Sequence, residues 1–404
     1  MIKTDYLIIG GGIAGTTAAE IIRERDYLAS ITLISEESHP LYSRVLLPKF
    51  VQGKIGLEKV MLRTLSDYKK NRIHFYQSEV AKMIDVEKKR VKTTSNTLFS
   101  YQKLLIASGG KVRTWPHENQ APGNIFRFQT LDDAQRIIRF FKKCPKGEAL
   151  VVGGGFITLE LLEILVRQGY KVTLLMRDKR FWHDILDDTG FKILSDLWDS
   201  HTIGMLYCDE VASVETKGHR TLVSTRSGHT LEVDFIGVGI GLERNLDFVA
   251  SQGLTLESQG ESLGIEVNEY LEASVPDVWA AGDAAFYSDV IMGNKRLCRN
   301  WSGAFAQGRI AGVNMSGGYE PYRSAPRYSI GHLGSVITMI GNVLGGVSDK
   351  EAFCHFNEAN KEYARIFESD GIISGAALIN AKRLAEGIRQ AIMNKSPIHE
   401  FRNS

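Results

Sequence analysis

Cysteine is scarce in this chain of 404 residues, which contains only Cys144, Cys208, Cys298 and Cys354. No two of them form a CxxC pair, and none is grouped with histidine at the spacing of a metal site. A disulfide scaffold and a zinc motif are therefore not indicated. We expect ordinary reduced cysteines and no bound metal.

Long apolar runs and an excess of charge of either sign are also missing. No stretch is long enough to cross a bilayer, and no signal-peptide pattern precedes the first predicted strand. The formal net charge is +2, so no general attraction to nucleic acid is indicated. The length of 404 residues predicts two or three domains. We expect a cytoplasmic protein that binds neither membrane nor nucleic acid.

A glycine-rich loop follows the first predicted strand. The apolar run DYLIIGG leads into Gly10, Gly12 and Gly15, which match the GxGxxG pattern. In this pattern the glycines allow a tight turn, close approach of the backbone to a pyrophosphate, and close packing of helix on strand. The next predicted strand ends at Glu36, whose carboxylate can accept hydrogen bonds from a ribose diol. The combination predicts a site for an adenine dinucleotide.

A second loop nearly repeats the first. The run EALVVGG leads into Gly153, Gly155 and Thr158, followed by a predicted amphipathic helix and another strand. Thr158 departs from the usual small third residue, so we expect helix and strand to lie slightly further apart. One dinucleotide needs one such loop, so two loops imply two dinucleotides. The pairing that accounts for both is a tightly held FAD and an exchangeable NADH or NADPH.

The residues after the strand that follows the second glycine loop do not decide between NADH and NADPH. The position that matches Glu36 is taken by Met176, and the segment continues with Arg177, Asp178 and further cations. A missing acid with arginine nearby favours NADPH, because arginine usually binds a 2′-phosphate. These cations could instead belong to a solvated surface loop, which leaves NADH open.

Three further stretches carry a resemblance to a known family. They are LLIASGG at 104–110, GVGIGLERNLDF at 237–248 and SVPDVWAAGDAAF at 274–286. With the two glycine loops in this order, the chain resembles the FAD-dependent pyridine nucleotide-disulfide oxidoreductase superfamily over nearly its whole length. The resemblance implies an α/β fold with two Rossmann-like dinucleotide-binding domains and a small α+β C-terminal interface domain. The implied domains are FAD-binding (1–115 and 245–320), NAD(P)-binding (116–244) and C-terminal (321–404).

The resemblance also implies a set of cofactor-binding residues. Asp283 would meet the ribityl chain or the pyrophosphate of FAD, while Arg44 and Arg113 are either phosphate or adenine neighbours or surface charges. The predicted cofactor-binding residues are Gly10, Gly12, Ile13, Ala14, Gly15, Glu36, Arg44, Lys49, Val80, Ala107, Ser108, Gly109, Arg113, Gly153, Gly155, Phe156, Ile157, Glu160, Arg177, Gly239, Gly282, Asp283 and Trp301.

The segment 35–54 distinguishes subtypes of this superfamily. Disulfide reductases carry a CxxxxC pair there, and several oxidases and peroxidases carry one cysteine, but this segment has none. Its YSRVLLPK stretch is similar to ferredoxin and rubredoxin reductases and to the electron-input part of nitrite reductases. The resemblance implies catalytic roles for Lys49, near the flavin, and for Glu160, its carboxylate partner. The alternative is a surface lysine and a helix-face glutamate that never meet.

Without a redox cysteine, electrons must leave for an external acceptor. The resemblance implies a small redox protein such as rubredoxin or ferredoxin, and GNKRLCRN could attract such an acidic partner through Lys295, Arg296 and Arg299. A solvated loop is the alternative for this basic stretch. An NAD(P)H oxidase that releases peroxide, and a slow redox-sensing or interaction protein, are the rival functions.

The C-terminal part is predicted to be strands and a closing helix. A hairpin is expected around Ser369-Asp370-Gly371. The resemblance implies that this part can carry a homodimer interface, and the sequence does not decide whether it does. His332 could approach the flavin region, but a structural histidine is the preferred interpretation. Trp301 is either a flavin contact or a core residue, and Gln307 and Gly308 are expected to serve helix packing.

Overall fold

The computed structural model describes residues 1–244, 246–249, 253–260, 262–343 and 351–399, without the side chains of 351–353. The predicted domain boundary at residue 245 and the predicted C-terminal stretches 344–350 and 400–404 lie outside the described residues.

The strands and helices are labelled in chain order. The strands are β1 (Ile2–Ile9), β2 (Ile31–Ile34), β3 (Ile73–Tyr76), β4 (Ala81–Asp85), β5 (Arg90–Thr93), β6 (Leu98–Ile106), β7 (Lys111–Val112), β8 (Ile125–Phe126), β9 (Glu148–Gly153), β10 (Lys171–Leu175), β11 (Gly204–Leu206), β12 (Val211–Lys217), β13 (Arg220–Thr225), β14 (Thr230–Val233), β15 (Phe235–Gly239), β16 (Leu242–Glu243), β17 (Leu256–Gln259), β18 (Ser262–Val267), β19 (Val278–Ala280), β20 (Ala285–Asp289), β21 (Asn294–Leu297), β22 (Arg327–His332), β23 (Ser335–Gly341), β24 (Glu351–Asn357), β25 (Glu362–Ser369) and β26 (Ile372–Ile379). The α-helices are α1 (Ile13–Arg25), α2 (Leu47–Val51), α3 (Leu57–Val60), α4 (Leu65–Lys70), α5 (Leu131–Lys143), α6 (Phe156–Gln168), α7 (Asp188–Ser200), α8 (Trp301–Met315) and α9 (Ala385–Met393).

Two compact units divide the chain. Unit 1 comprises residues 1–43, 61–111 and 243–328, and unit 2 comprises residues 44–60, 112–242 and 329–404. The predicted domain boundaries at 115/116 and 244/245 lie within a few residues of the unit boundaries at 111/112 and 242/243. The assignment of each domain to a cofactor stays a prediction.

Unit 1 is built on a sheet with the order β3-β2-β1-β6-β5-β4, and β19 also pairs with β6. The pairs among β3, β2, β1, β6 and β19 are parallel. The central strand β1 is almost wholly apolar and buried, as expected for a strand covered on both faces. Its Leu7 and Ile8 pack with Leu104 and Leu105 of β6 in the core of the unit. A smaller sheet, β17-β18-β20-β21, completes this unit.

A buried arginine joins the elements beside β2. Arg23, near the end of α1, is only 8% exposed. Its guanidinium donates to the carbonyl oxygens of Asn71, Asp26, Tyr27, Ala29 and Arg72 at 2.7–3.0 Å. Because a buried charge is costly unless it is hydrogen-bonded, this set of acceptors makes the burial tolerable and anchors the C-terminal end of α1.

Unit 2 contains a second parallel sheet with the order β11-β10-β9-β15-β8. An antiparallel sheet, β12-β13-β14, follows β11 in the chain. Helix α5 begins with a capping box between Thr130 and Asp133. It buries an aromatic cluster in which Phe126 and Phe235 stack with ring centroids 4.3 Å apart and Phe140 packs against both.

The C-terminal part of unit 2 is a five-stranded sheet with the order β22-β23-β26-β25-β24, followed by α9. The hairpin predicted around Ser369-Asp370-Gly371 is confirmed by the antiparallel pairing of β25 with β26. Gly371 has φ +78°, a conformation that favours glycine. The predicted closing helix is confirmed as α9.

The predicted α/β class with two parallel, Rossmann-like sheets is therefore confirmed, as is an α+β C-terminal part. Within the described ranges, no helix combines the length and the apolar character that crossing a bilayer requires.

Candidate functional site

The first glycine loop lies at the carboxyl end of β1, where each glycine meets a different constraint. Gly10 has φ +115°, and a Cβ built on it would lie 2.1 Å from the carbonyl oxygen of Ala107 at the end of β6. A Cβ on Gly15 would lie 2.0 Å from the carbonyl oxygen of Gly10, so Gly15 allows α1 to approach the strand. A Cβ on Gly12 would meet nothing within 4 Å. Gly12 therefore borders open space, whereas Gly10 and Gly15 are needed for packing.

Helix α8 packs parallel to α1 and brings the Gly282-Asp283 turn to the same edge of the sheet. A Cβ on Gly308 would lie 2.3 Å from the carbonyl oxygen of Ala14, and one on Gly312 would lie 2.9 Å from that of Ala18. The predicted packing role of Gly308 is thus confirmed. Gln307 is fully buried, and its Oε1 accepts a 2.8 Å hydrogen bond from the N–H of Gly282, next to Asp283.

These residues fit the phosphate-bearing part of a dinucleotide. Gly12 caps α1 without any side-chain hydrogen bond, so the first N–H groups of the helix face the space beside it. The Nε2 of Gln307 is a buried donor without a hydrogen-bond acceptor among the described residues. Sequence reasoning assigned Gln307 to packing alone. The signal for a further role was its polar side chain on an otherwise apolar helix face.

Two more predicted residues, Glu36 and Val80, lie at this edge of unit 1. Glu36 is half-exposed, and its Oε1 lies 2.6 Å from Nζ of Lys111, with which it forms an ion pair. The sequence analysis did not select Lys111. Val80 follows β3, and the N–H of its neighbour Glu79 donates to the carbonyl oxygen of Ser35, which holds Val80 near Glu36. The structure thus brings Gly10, Glu36, Val80, Ala107 and Gly282 to the carboxyl end of one sheet, together with Gly12, Ile13, Ala14, Gly15, Ser108, Gly109 and Asp283.

The second glycine loop repeats this geometry in unit 2. A Cβ on Gly153, which has φ +134°, would lie 2.3 Å from the carbonyl oxygen of Gly239 on β15, while one on Gly155 would meet nothing within 4 Å. Thr158, at the third fingerprint position, is fully buried. Its hydroxyl fits because a Cβ on the facing Gly239 would lie only 2.9 Å from it. Gly239 therefore takes part of the role that a third glycine usually has.

Strand register corrects one alignment made from the sequence. Ile9 pairs with Ile34 in the first sheet, and the equivalent Val152 pairs with Leu175 in the second. Glu36 is the second residue after its strand, so its counterpart is Arg177 rather than Met176. Met176 is 2% exposed and belongs to the core.

An aromatic pair borders the start of α6. Phe156 is the first residue of the helix, and its ring centroid lies 4.9 Å from that of Trp182. Trp182 has φ +54°, which is unusual for a bulky residue. Ile157 follows Phe156 in the same first turn.

The predicted catalytic residues both belong to unit 2. Lys49 lies on the short helix α2, which packs against α6, the helix of Glu160. Glu160 is 8% exposed, whereas Lys49 is exposed. Arg44 precedes α2, and the N–H of Arg113 donates to the carbonyl oxygen of Gly241 at 3.0 Å. The pairing of Lys49 with Glu160 stays a prediction.

Helix α8 extends past the start of α1. Since Ala14 faces Gly308, the six or so residues by which α8 begins earlier extend it roughly 9 Å beyond the start of α1. Trp301 and Phe305 lie four residues apart on this extension, and Phe305 is 48% exposed. An aromatic surface therefore borders the edge at which the first glycine loop meets the Gly282-Asp283 turn.

The basic stretch before α8 is only partly the exposed patch that the sequence offered as one alternative. Arg296 is 8% exposed, forms a 2.6 Å ion pair with Asp289, and donates to the hydroxyl of Tyr287 at 2.7 Å. Lys295 forms an ion pair with Glu266. Arg299 is exposed. The prediction was wrong for Arg296 because Asp289 and Tyr287 pair with its guanidinium in the interior.

Comparison with known proteins identifies the family of this chain. Residues 4–308 match the family described as pyridine nucleotide-disulphide oxidoreductase. The chain belongs to this family. A curated relative, the 3-phenylpropionate/cinnamic acid dioxygenase ferredoxin–NAD(+) reductase component of Photorhabdus laumondii, is 27% identical over 97% of both chains. The NADH oxidase of Methanocaldococcus jannaschii is 25% identical over 98% of this chain and 93% of that protein.

A solved structure supports the fold. The covalent putidaredoxin reductase–putidaredoxin complex matches with a TM-score of 0.89 at 21% identity, over 98% of this chain and 94% of that chain. Family membership makes the protein an oxidoreductase that uses FAD and NAD(H). The two open glycine loops, Gly12 in unit 1 and Gly155 in unit 2, fit that pair of dinucleotides.

This family member lacks the thiols that its family name suggests. All four cysteines are free, and none lies in the segment 35–54. Burial raises the pKa of Cys298 to about 12, so this thiol stays protonated and is a poor nucleophile. The interpretation of Cys298 as an unreactive cysteine fits this burial.

Proposed function

We propose that the protein is an FAD-dependent reductase that passes electrons from NADH to a small redox protein such as a rubredoxin or a ferredoxin. The observation that carries the proposal is the combination of two dinucleotide-type loops with no cysteine available to receive electrons inside the chain. FAD, when bound, accepts two electrons as hydride and can release them one at a time. An external acceptor is therefore required.

The surface of α8 supports a protein acceptor. Trp301 and Phe305 form an aromatic surface on the part of the helix that extends beyond α1, and Arg299 lies just before it. Aromatic residues and arginine are enriched in protein–protein interfaces, because they bury large areas and make directed contacts. An acidic partner would also be attracted by Arg299. The ferredoxin–NAD(+) reductase component of P. laumondii agrees with such an acceptor.

The residues of this chain have separable roles in the proposed reaction. The first glycine loop and Gln307 hold FAD, and the second glycine loop holds the nicotinamide nucleotide. Glu160, which is buried on α6, would hold the ammonium of Lys49 in place. A lysine ammonium near a bound flavin would stabilise the negative charge that develops on its reduction.

Direct reduction of oxygen is the rival function, because the relative from M. jannaschii is an NADH oxidase. Anaerobic stopped-flow separates the two. The purified flavoprotein is first reduced with NADH and then mixed with rubredoxin, ferredoxin or oxygen in separate experiments.

We expect rapid bleaching of the flavin by NADH and reoxidation by a redox protein at least ten times faster than by air-saturated buffer. Reoxidation that is fastest with oxygen would replace the proposal by the oxidase. Negligible bleaching by both NADH and NADPH would favour a slow sensing or interaction role.

A further inference from the structure

The first glycine loop has no positively charged residue of its own. Residues 10–19 contain no arginine, lysine or histidine. A dinucleotide pyrophosphate carries about two negative charges, whereas a helix N-terminus supplies the equivalent of only about half a positive charge. At the same edge of the sheet, Lys111 is paired with Glu36. A cation from elsewhere in unit 1 would therefore strengthen the binding of a dinucleotide at this loop.

The Gly282-Asp283 turn lies against the start of α1. A Cβ built on Gly282 would lie 3.3 Å from the Cβ of Ala14, in the first turn of that helix. The N–H of Ala281 donates to the carbonyl oxygen of Ile106 at 3.1 Å, which holds the turn at the end of β6. The negative charge of Asp283 would oppose a diphosphate placed beside it. The turn therefore favours FAD only if a positive charge accompanies the acid.

Arg244 brings such a charge to the turn. Its Nε donates a 2.7 Å hydrogen bond to the carbonyl oxygen of Asp283, and its side chain is half-buried. A guanidinium donates through both Nη groups as well as through Nε, so an anchor through Nε does not use its whole donor capacity. The sequence analysis did not select Arg244, because it lies far from the first glycine loop in the chain.

A neutral donor flanks the same turn. Gln307 is fully buried, and its Oε1 accepts the hydrogen bond from the N–H of Gly282. Its Nε2 has no acceptor among the described residues. A buried donor without an acceptor is costly, so this group indicates a ligand with an oxygen to offer. A guanidinium and an unsatisfied amide donor beside one turn suit an anion with several oxygens.

We propose that Arg244 binds the pyrophosphate of FAD and offsets the negative charge of Asp283. The inference rests on the proposed function, since it requires FAD at the first glycine loop. Hydrogen bonds from a guanidinium to a phosphate oxygen are charge-assisted and about twice as strong as neutral ones. Salt screens such an attraction, so the affinity for FAD depends on ionic strength and on the charge of residue 244.

Release of FAD from the loaded protein tests this without any electron transfer. Flavin fluorescence after dilution gives the dissociation constant of FAD for the natural chain, for Arg244→Met and for Arg244→Lys, each at low and at high sodium chloride concentration. We expect Arg244→Met to bind FAD about tenfold to 100-fold more weakly at low salt and to depend less on salt. Arg244→Lys should recover part of the affinity, because it keeps the charge without the planar set of donors.

Two controls make the result specific. Arg90→Met removes an exposed arginine on β5, elsewhere in unit 1, and should change the affinity for FAD by less than about twofold. Displacement of FAD by ADP identifies the group that Arg244 contacts, because ADP carries the adenosine and the pyrophosphate but not the flavin ring. In Arg244→Met the inhibition constant of ADP should rise by the same factor as the dissociation constant of FAD.

The outcomes separate this inference from the proposed function. An FAD affinity in Arg244→Met within about twofold of the natural value would overturn the assignment of Arg244 while leaving the reductase in place. A loss for FAD without a matching loss for ADP, or a loss with unchanged salt dependence, would do the same. A natural chain that cannot be loaded with FAD would overturn the proposed function and this inference together.

Discussion

The indole N–H of Trp198 donates a 2.7 Å hydrogen bond to Nε2 of His332, and both side chains are fully buried. Trp198 lies on α7 and His332 at the end of β22, so the bond joins the nucleotide-type fold of unit 2 to its C-terminal sheet. Because Nε2 accepts, the ring is neutral in the folded protein. The structural role preferred for His332 from the sequence agrees with this contact.

Protonation of His332 is expected to weaken the folded state in acid. Burial lowers the pKa of His332 to about 4, from 6.5 in an unfolded chain. Between these values the unfolded state binds more protons, so stability is complete above pH 6.5 and is lost as the pH falls toward 4. The contribution is about 3 kcal/mol, since one pKa unit corresponds to about 1.4 kcal/mol.

Urea denaturation at pH 5, 6 and 7 measures this effect. The natural chain should lose stability steadily over the range, whereas His332→Gln should be less stable at pH 7 and show a flatter pH dependence. An identical pH slope in the two proteins would contradict the prediction.

Removal of the Lys49 ammonium is expected to slow flavin reduction. Lys49→Ala should retain FAD and reduce the rate of flavin bleaching by NADH by about tenfold or more in single-turnover stopped-flow. Lys54→Ala is the matched control, because Lys54 is an exposed lysine five residues further along. Equal bleaching rates in all three proteins would remove Lys49 from the mechanism.

Gly10 and Gly12 should respond differently to the same added methyl group. Gly10→Ala places a Cβ 2.1 Å from a backbone oxygen at positive φ, so we expect destabilisation by roughly 3 kcal/mol or loss of folded protein. Gly12→Ala meets no protein atom within 4 Å, so the apoprotein should keep its melting temperature while FAD affinity falls.

Thermal unfolding and FAD titration of the two apoproteins separate these effects. If Gly12→Ala binds FAD with the natural affinity, the open space beside Gly12 is not the pyrophosphate site.

Reversal of charge at Arg299 should weaken the encounter with an acidic acceptor. Arg299→Glu is expected to lower kcat/KM for the redox protein by about threefold to tenfold at low salt and to flatten its salt dependence, with flavin reduction by NADH unaffected. Lys82→Glu makes the same charge change at another exposed site of unit 1. Equal losses in both variants would indicate a general charge effect rather than docking through Arg299.

Many features followed from local sequence alone. The two glycine loops, the strands before them and the helices after them could be predicted, because turn glycines and periodic apolar residues act over a few neighbouring positions. The absence of cysteine from 35–54 could also be read from the sequence, and it removes the thiol that the family resemblance assigns to that segment. The hairpin at Asp370-Gly371 could likewise be predicted from local sequence.

Other features depended on residues that are distant in the chain. Arg296 and Arg299 look alike in sequence, but Asp289 and Tyr287 receive the first in the interior and leave the second exposed. The counterpart of Glu36 became clear only from the pairing of β9 with β10. Burial, register and side-chain direction arise from contacts between separate strands, so the tertiary structure alone decided that Met176 lies in the core while Arg177 is exposed beside Glu210.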